Sequence, residues 1–362
     1  MAQDNRSILR TLNPNKIWIP ILFSLAIVVY MFYSDDSITA NDLKMAFNAE
    51  FWAFLLAVLL ILARGIAYMY RIRVISDRKL SWDSAFYVIL LWEFASAVTP
   101  SVVGGTAVVA FIMMKEGISL GKSLAYVMIT AILDNLFFVI AALIALVVTG
   151  GDIFPTFNEN IHLLGMDIDP EGGLEAVFYI SFSLILLYTF LMFYALFIKP
   201  RAFKWFLLKV TSIKFLKKWQ KNANTQGNEI IQASAHLKGK PFGYWFNISF
   251  FTIIIWAIRY LQLNVLVGAF IDLSFLDHIV IFSRQIILWV VMLLSPTPGS
   301  SGTAELFFVP FFKEFLGSYT LVTNILWRAL SYYPYLILGA IFLPRWVKRV
   351  FFKKNKKAPQ TL

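Results

Sequence analysis

Hydrophobic residues occur along this chain of 362 residues in long runs that are separated by short polar segments. A helix needs roughly 20 apolar residues to cross the hydrocarbon core of a bilayer, and six runs reach about that length. These runs are residues 17–33, 51–70, 123–149, 174–198, 244–268 and 321–343. The pattern therefore predicts an all-α polytopic membrane protein with about six full transmembrane helices.

Two further apolar stretches, residues 83–115 and 276–316, are interrupted near their middle by proline and glycine. Proline removes a backbone donor and glycine permits positive φ, so a helix is expected to stop at each interruption. Each stretch is thus predicted to form two short helices that are joined by a break.

The charged residues predict how the chain is oriented. Residues 199–240 carry ten lysines and arginines against one acid, and residues 344–362 carry seven basic residues and no acid. In contrast, residues 150–175 carry six acids and neither lysine nor arginine. Because basic loops stay in the cytoplasm, both termini and the loop 70–83 are predicted inside, and 34–50 and 150–175 outside. The expected location is a bacterial-type cytoplasmic (inner) membrane.

This orientation requires each interrupted stretch to enter and leave the membrane by the same face. One interpretation is a pair of inverted re-entrant helical hairpins, one from each face. The other is that each stretch forms two short full spans, which return to the starting face equally well.

The two interrupted stretches also resemble each other in sequence. Thr99–Pro100 precedes Lys115–Glu116 by 16 positions, and Thr297–Pro298 precedes Lys313–Glu314 by the same distance. Inverted repeats with broken helices are typical of many transporters, whose binding site lies at the interface between the repeats. The repeated spacing therefore predicts two inverted halves and a site between them.

The predicted domain organisation is a single membrane domain, residues 1–362, whose repeat halves are about 1–150 and 174–343. Residues 199–240 are predicted as a cytoplasmic basic amphipathic segment, and residues 344–362 as a basic tail. Lysines alternate with apolar residues at helical spacing in the basic segment. This pattern is typical of a helix that lies on anionic lipid, and we expect no nucleic-acid partner.

The two breaks are the first candidate for a binding site. A half-helix that starts inside the membrane presents free N–H groups and positive potential, and Thr106 and Thr303 are expected to cap these starts. Two such ends would bind an anion; the alternative is that each break is only a packing kink. The candidate substrate-binding residues at the breaks are Thr99, Pro100, Gly104, Gly105, Thr106, Thr297, Pro298, Gly299, Gly302 and Thr303.

Charged residues inside the apolar stretches are the second candidate. They are Glu93, Asp134, Arg259, Arg284, Glu305 and Arg328. Each costs roughly 2.5–3.5 kcal/mol at the bilayer centre, so these side chains are expected to pair or to face a water-filled cavity. Arginine suits a lipid phosphate, although structural ion pairs between helices would explain the same residues. Arg64 is expected to extend its head group to the cytoplasmic interface.

Several function classes have no support in the sequence. The chain has no cysteine and only three widely spaced histidines, so no metal site is predicted. No serine–histidine constellation and no complete phosphate-binding loop are present. We therefore expect neither a cofactor nor catalysis.

Two motifs resemble a known family, the flippase-like domain family that includes the transmembrane region of lysylphosphatidylglycerol synthase. They are Thr99-Pro100-Ser101-x-x-Gly104-Gly105 and Pro296-Thr297-Pro298-Gly299-x-x-Gly302-x-x-Glu305. Ser300 stands where the family's pattern has a second glycine. The resemblance extends from about residue 15 to 345.

The resemblance implies that the chain translocates an anionic phospholipid or a polyprenyl-linked lipid between leaflets. It implies a stand-alone member without the soluble aminoacyl-transferase domain of the full synthase. Two other functions stay open at this point: a membrane subunit that presents lipid to a separate transferase, or a membrane-embedded enzyme that acts on a lipid phosphate. The oligomeric state also stays open.

Overall fold

A computed structural model of the chain describes residues 49–99, 102–155, 161–163, 166–168, 173–293, 295 and 297–352. Its helices in chain order are α1 Phe51–Ile75, α2 Trp82–Val98, α3 Val102–Lys115, α4 Leu120–Thr149, α5 Gly173–Phe193, α6 Pro200–Thr211, α7 Gln220–Lys238, α8 Phe242–Gly268, α9 Phe275–Met292, α10 Thr303–Leu316, α11 Thr320–Ser331 and α12 Tyr333–Val347. Two short strands, β1 Ile161–Leu163 and β2 Met166–Ile168, pair antiparallel.

The protein is an all-α polytopic membrane protein, as predicted. Its described residues contain six helical segments that are long and apolar enough to cross a membrane. Four match predicted spans: α1, α4, α8 and Gly173–Ile198, in which α5 continues into a π-helical turn. The other two are α9 and the composite segment Pro298–Phe351. The predicted span 17–33 lies outside the described residues.

Apolar side chains on the outer faces of these helices are exposed, which is the pattern of a lipid-facing surface. On α1, Leu59 and Leu62 are more than half exposed, and on α4 so are Ile140 and Val147. The polar and charged side chains of the same helices point inward instead. The fold is thus apolar outside and locally polar inside, as expected for helices whose solvent is lipid.

The predicted span 321–343 is broken into α11 and α12 at Tyr332, whose φ of −127° and ψ of −57° are not helical. The physical reason is Pro334, which lies in the first turn of α12. A proline lacks a backbone N–H and clashes with the carbonyl four residues earlier, so a helix cannot pass through it unchanged. The hydropathy pattern did not reveal this break.

Each interrupted stretch forms two helices that pack on each other, α2 with α3 and α9 with α10. The glutamates of the repeat connect the two arms: Ser84 Oγ donates to Glu116 at 2.7 Å, and Arg284 contacts Glu314 at 2.9 Å. At 1.5 Å per residue, α3 and α10 are about 21 Å long, which is shorter than the hydrocarbon core of about 30 Å. The re-entrant arrangement and the inverted halves stay predictions.

The most extensive helix contact joins α1 and α8. The two helices are antiparallel, since Glu50 N–H donates to Ala269 O at one end and Arg71 bonds Thr252 nearer the other. Around this pair lie two apolar clusters, one formed mainly by α2, α3 and the first half of α4 and the other mainly by α9, α10 and the second half of α8.

Candidate functional site

The turn at the second break has an unusual backbone. Gly299, Ser300 and Gly302 all have positive φ, at +58°, +54° and +80°. L-residues avoid this left-handed region because Cβ approaches the following carbonyl, whereas glycine enters it without strain. The turn before α10 therefore has three positions that favour glycine, and Ser300 occupies one of them.

Glu305, in the first turn of α10, is fully buried. Its carboxylate accepts the Gly302 N–H at 2.7 Å and the Arg328 Nε–H at 2.8 Å. Asn324 on α11 donates to the backbone carbonyl of Glu305 at 3.0 Å. A buried charge needs a partner of opposite sign, and Arg328 supplies it here. The pair thus joins the start of α10 to α11.

This geometry corrects two predictions about helix capping. The start of α10 was expected to attract a bound anion, but Glu305 places a carboxylate of the protein there. Thr303 is not the cap, because Gly302 precedes it in that position, and Thr303 instead accepts a hydrogen bond from Ser295 at 2.9 Å. Thr106 is not a cap either, because α3 begins at Val102 and therefore encloses it.

At the first break, α2 ends and Thr99 is extended, with φ of −109° and ψ of 137°. Pro100 lies outside the described residues. Gly104, Gly105 and Thr106 lie within the helical backbone of α3, and their contacts are outside the described part of the structure.

Tyr332, which the sequence analysis missed, connects the breaks. Its hydroxyl donates to Ala97 O near the end of α2 at 2.9 Å and accepts from Ser301 of the second break at 3.0 Å. The Arg328 guanidinium lies 3.9 Å from the centre of its ring. Three helix interruptions therefore meet at one side chain. The sequence signal for it was Pro334, two residues later.

A second polar cluster lies along α1. Arg64 pairs with Glu93 of α2 at 2.7 Å and donates to the Tyr335 hydroxyl of α12 at 2.9 Å. The expectation that Arg64 reaches the interface is wrong, because its side chain is 4% exposed. The guanidinium does not need to reach water, because Glu93 neutralises its charge inside the helix bundle.

Arg71 lies seven residues after Arg64, which is about two turns further along the same face of α1. It pairs with Asp134 of α4 at 2.5 Å and donates to Thr252 of α8 at 2.8 Å. Asp134 also accepts from Trp256 Nε1 at 3.0 Å. Arg71 was assigned to a cytoplasmic loop, but it is buried within α1, because the helix continues to Ile75.

Arg259 differs from these arginines. It makes no hydrogen bond or ion pair with a residue in the part of the chain that the structure describes, and its guanidinium lies 5.5 Å from the centre of the Trp256 ring. Seven residues separate Arg64 from Arg71, and seven separate Thr252 from Arg259, so the antiparallel pairing places Arg259 level with Arg64. Arg259 is half-buried and close enough to interact electrostatically with Tyr335.

Arg284 lies apart from both clusters. It donates to Phe311 O at 3.0 Å and contacts Glu314 in the second half of α10. Glu314 is nine residues from Glu305, about 13 Å along a helix. The structure therefore brings Arg328 and Glu305 together with Thr297, Pro298, Gly299, Gly302 and Thr303, but not with Arg284.

Two buried N–H groups of these clusters have no hydrogen-bond acceptor among the described residues. They are Arg64 Nε and Arg328 Nη2. A buried donor without a partner is costly and is often explained by a bound group. Among the described residues, no group of three or more histidine, cysteine, aspartate or glutamate side chains is arranged to hold a metal ion.

Comparison with known proteins adds the family. Residues 17–339 match the family described as the lysylphosphatidylglycerol synthase TM region. The chain belongs to this family. A UPF0104 membrane protein from Archaeoglobus fulgidus is 25% identical over 348 residues, which cover 93% of this chain and 99% of that protein.

The second motif of the sequence, Pro296-Thr297-Pro298-Gly299-x-x-Gly302-x-x-Glu305, coincides with the turn before α10. Gly299, Ser300 and Gly302 have positive φ there, and the final glutamate of the motif is the partner of Arg328. The motif therefore combines the backbone freedom that the turn needs with the acid that pairs across to α11.

Proposed function

We propose that this member of the family moves an anionic lipid between the leaflets of a cytoplasmic membrane, with both termini in the cytoplasm. The observation that carries the proposal is Arg259, a half-buried cation near the middle of a membrane-spanning helix, with no acid partner among the described residues. A cation in that position is costly unless a counter-ion or water reaches it. A lipid phosphate supplies that counter-ion.

The charges around α1 support a ligand with one negative charge. Arg64, Arg71 and Arg259 contribute three cations, and Glu93 and Asp134 contribute two carboxylates. The surplus of one positive charge would be balanced by the single negative charge of a phosphodiester. Arginine can also bind two phosphate oxygens in a fixed fork geometry, which favours this head group over a neutral one.

Lipid translocation also explains why polar groups line the interior while lipid-facing surfaces stay apolar. The acyl chains would remain in the bilayer while the head group passes the arginines. A polyprenyl-linked lipid phosphate offers the same anionic group and fits the same argument. Transport, and not catalysis, is proposed because the polar groups are distributed along several helices.

The test is lipid scrambling in liposomes that contain the purified protein. Head-group-labelled phosphatidylglycerol is bleached from outside with a membrane-impermeant reductant. We expect bleaching well beyond the outer-leaflet half, and a rate about tenfold or more lower for Arg259→Ala, since a charge-assisted hydrogen bond contributes about 1.5–3 kcal/mol.

Arg345→Ala is the matched control, because Arg345 is exposed and lies outside the proposed path. Bleaching that stops at the outer leaflet for the unaltered protein contradicts lipid translocation. The subunit that presents lipid to a separate transferase then becomes the better account, and it predicts lipid binding that still depends on Arg259.

A further inference from the structure

The basic segment contains a surface that we name the α6 platform, formed by α6 and residues 212–219. None of the residues of α6 is buried. One face of α6 is half-buried against α7, while the opposite face is exposed. Most helical stability comes from packing an apolar face, so an exposed face that is also apolar calls for a partner surface.

Large apolar side chains dominate the outer face of the platform. Trp205 is 60% exposed, Phe206 55%, Ile213 57% and Phe215 82%. Exposed apolar patches of this kind mark sites that bind proteins or membranes. Tryptophan and phenylalanine are common where a helix lies in the membrane interface.

Basic residues alternate with these apolar side chains. The exposed ones are Arg201, Lys209, Lys214, Lys217 and Lys218, and the platform contains no acid. Lys209 Nζ also lies 4.8 Å from the centre of the Trp205 ring. An anionic leaflet has an apolar layer of acyl chains and, at its surface, negatively charged head groups. The apolar side chains of the platform match the first and its lysines and arginine match the second.

The platform is held firmly against the transmembrane body. Phe203 and Leu207 pack on the apolar cluster that includes Leu196 and Ile230, and Lys204 Nζ donates to Asn228 of α7 at 2.7 Å. In turn, Glu229 of α7 accepts the Gly121 N–H at the start of α4 at 2.8 Å. The platform therefore has a fixed position relative to the spans.

A charged cluster fixes the end of α7 as well. His236 contacts Asp77 at 2.6 Å, and Lys240 donates to the same carboxylate. Partial burial alone would raise the pKa of Asp77, but the hydrogen bonds from Lys240 and His236 outweigh burial and lower it. Asp77 is therefore ionised and holds the loop after α1 to the loop after α7.

The chain also places the platform at the height of the interface. The apolar segment Gly173–Ile198 ends directly before it, and at Lys199 the backbone leaves the helical region, with φ of −131° and ψ of 67°. Pro200 then starts α6, because a proline fits the first turn of a helix and the residue before it avoids helical geometry. The platform thus begins where a membrane span ends.

We propose that the α6 platform binds anionic lipid head groups of the leaflet in which α5 ends, with Trp205, Phe206 and Ile213 inserted among the acyl chains. This inference does not depend on lipid translocation. Each lysine near an anionic surface strengthens the attraction to it, so the platform would enrich anionic lipid beside the protein.

The absence of cysteine from the chain allows a clean test with single spin labels. Phe206→Cys carries the label on the platform, and Asn224→Cys, at an exposed position of α7, is the matched control. Both proteins are placed in nanodiscs of phosphatidylcholine alone or with phosphatidylglycerol. The collision rates of the label with oxygen and with a water-soluble nickel complex are then measured.

We expect the oxygen-to-nickel ratio at position 206 to exceed that at position 224 severalfold in nanodiscs with phosphatidylglycerol. We also expect it to fall when Lys209, Lys214, Lys217 and Lys218 are changed together to glutamine. A label at 206 that is as accessible to nickel as the control overturns the proposal. Equal insertion in pure phosphatidylcholine overturns the anionic preference, and a label shielded from both reagents indicates a protein partner instead.

Discussion

Arg328 and Arg259 are both arginines inside the membrane-spanning part of this protein, but their surroundings differ. Arg328 is buried against Glu305, which is itself fully buried, and lies over the ring of Tyr332. Arg259 is half-buried, makes no hydrogen bond or ion pair with a described residue, and lies 5.5 Å from the centre of the Trp256 ring. One cation is neutralised by a neighbouring acid, and the other has no acid partner in the described part of the chain.

From this difference we expect Arg328 to have a structural role and Arg259 to be available to a ligand. Removing one partner of a buried ion pair leaves an uncompensated charge, so the Glu305–Arg328 pair is expected to be needed for folding. Arg259 has no such partner among the residues that the structure describes, and its removal is expected to lower lipid translocation rather than stability. The two residues were equal candidates on sequence alone.

The strongest test of this contrast is Glu305→Gln. The amide keeps the shape of the side chain but removes the charge, so Arg328 stays buried without a counter-ion. We expect the free energy of unfolding to fall by about 3–5 kcal/mol, measured by denaturant titration in mixed micelles.

Arg259→Gln is the control for this variant, and it is expected to change the free energy of unfolding by less than about 1 kcal/mol. If both substitutions destabilise the protein equally, the proposed division between a structural and a ligand-binding arginine is wrong.

Gly299→Ala tests whether the turn before Glu305 requires close contact with Tyr332. An added Cβ would lie 2.6 Å from the Tyr332 hydroxyl, and φ is +58°. Steric overlap and the left-handed backbone together should cost about 2–3 kcal/mol. Thermal unfolding in detergent measures the loss, and Gly268→Ala, which has open space around it, should change stability far less.

Ser300→Gly should have the smallest effect and the opposite sign. Ser300 has φ of +54°, so glycine relieves backbone strain. The entropy of glycine and the loss of the weak bond from Ser300 Oγ to Met292 O at 3.3 Å offset most of this, and we expect a gain of no more than about 0.5 kcal/mol. Ser301→Gly is the matched comparison. Its φ is −61° and its hydroxyl donates to Tyr332, so the same assay should show a loss of about 1 kcal/mol.

The helices and the breaks followed from local features of the chain. The runs that became α1, α4 and α8 are continuous in the hydropathy pattern, and the second break coincides with Pro298 and Gly299. The break at Tyr332 was missed because its apolar neighbours continue without interruption and Pro334 alone marks it.

The partners of the charged residues did not follow from the sequence. Arg64 and Glu93 are 29 residues apart, and Arg71 and Asp134 are 63 apart. Nothing in their local sequence pairs them, and Arg71 even resembled a loop residue because other basic residues follow it. Tyr332 has no charge and no motif, so its role depends entirely on the helix ends around it.

The sequence by itself determined that this is a helical membrane protein with a glycine-dependent break, because apolar length and backbone freedom are properties of neighbouring residues. Tertiary structure alone decided that Glu305 neutralises Arg328, that Glu93 neutralises Arg64, and that Arg259 has no described acid beside it. The reason is that a charge in a medium of low dielectric is governed by the nearest opposite charge in space. Only the packing of distant helices sets that distance.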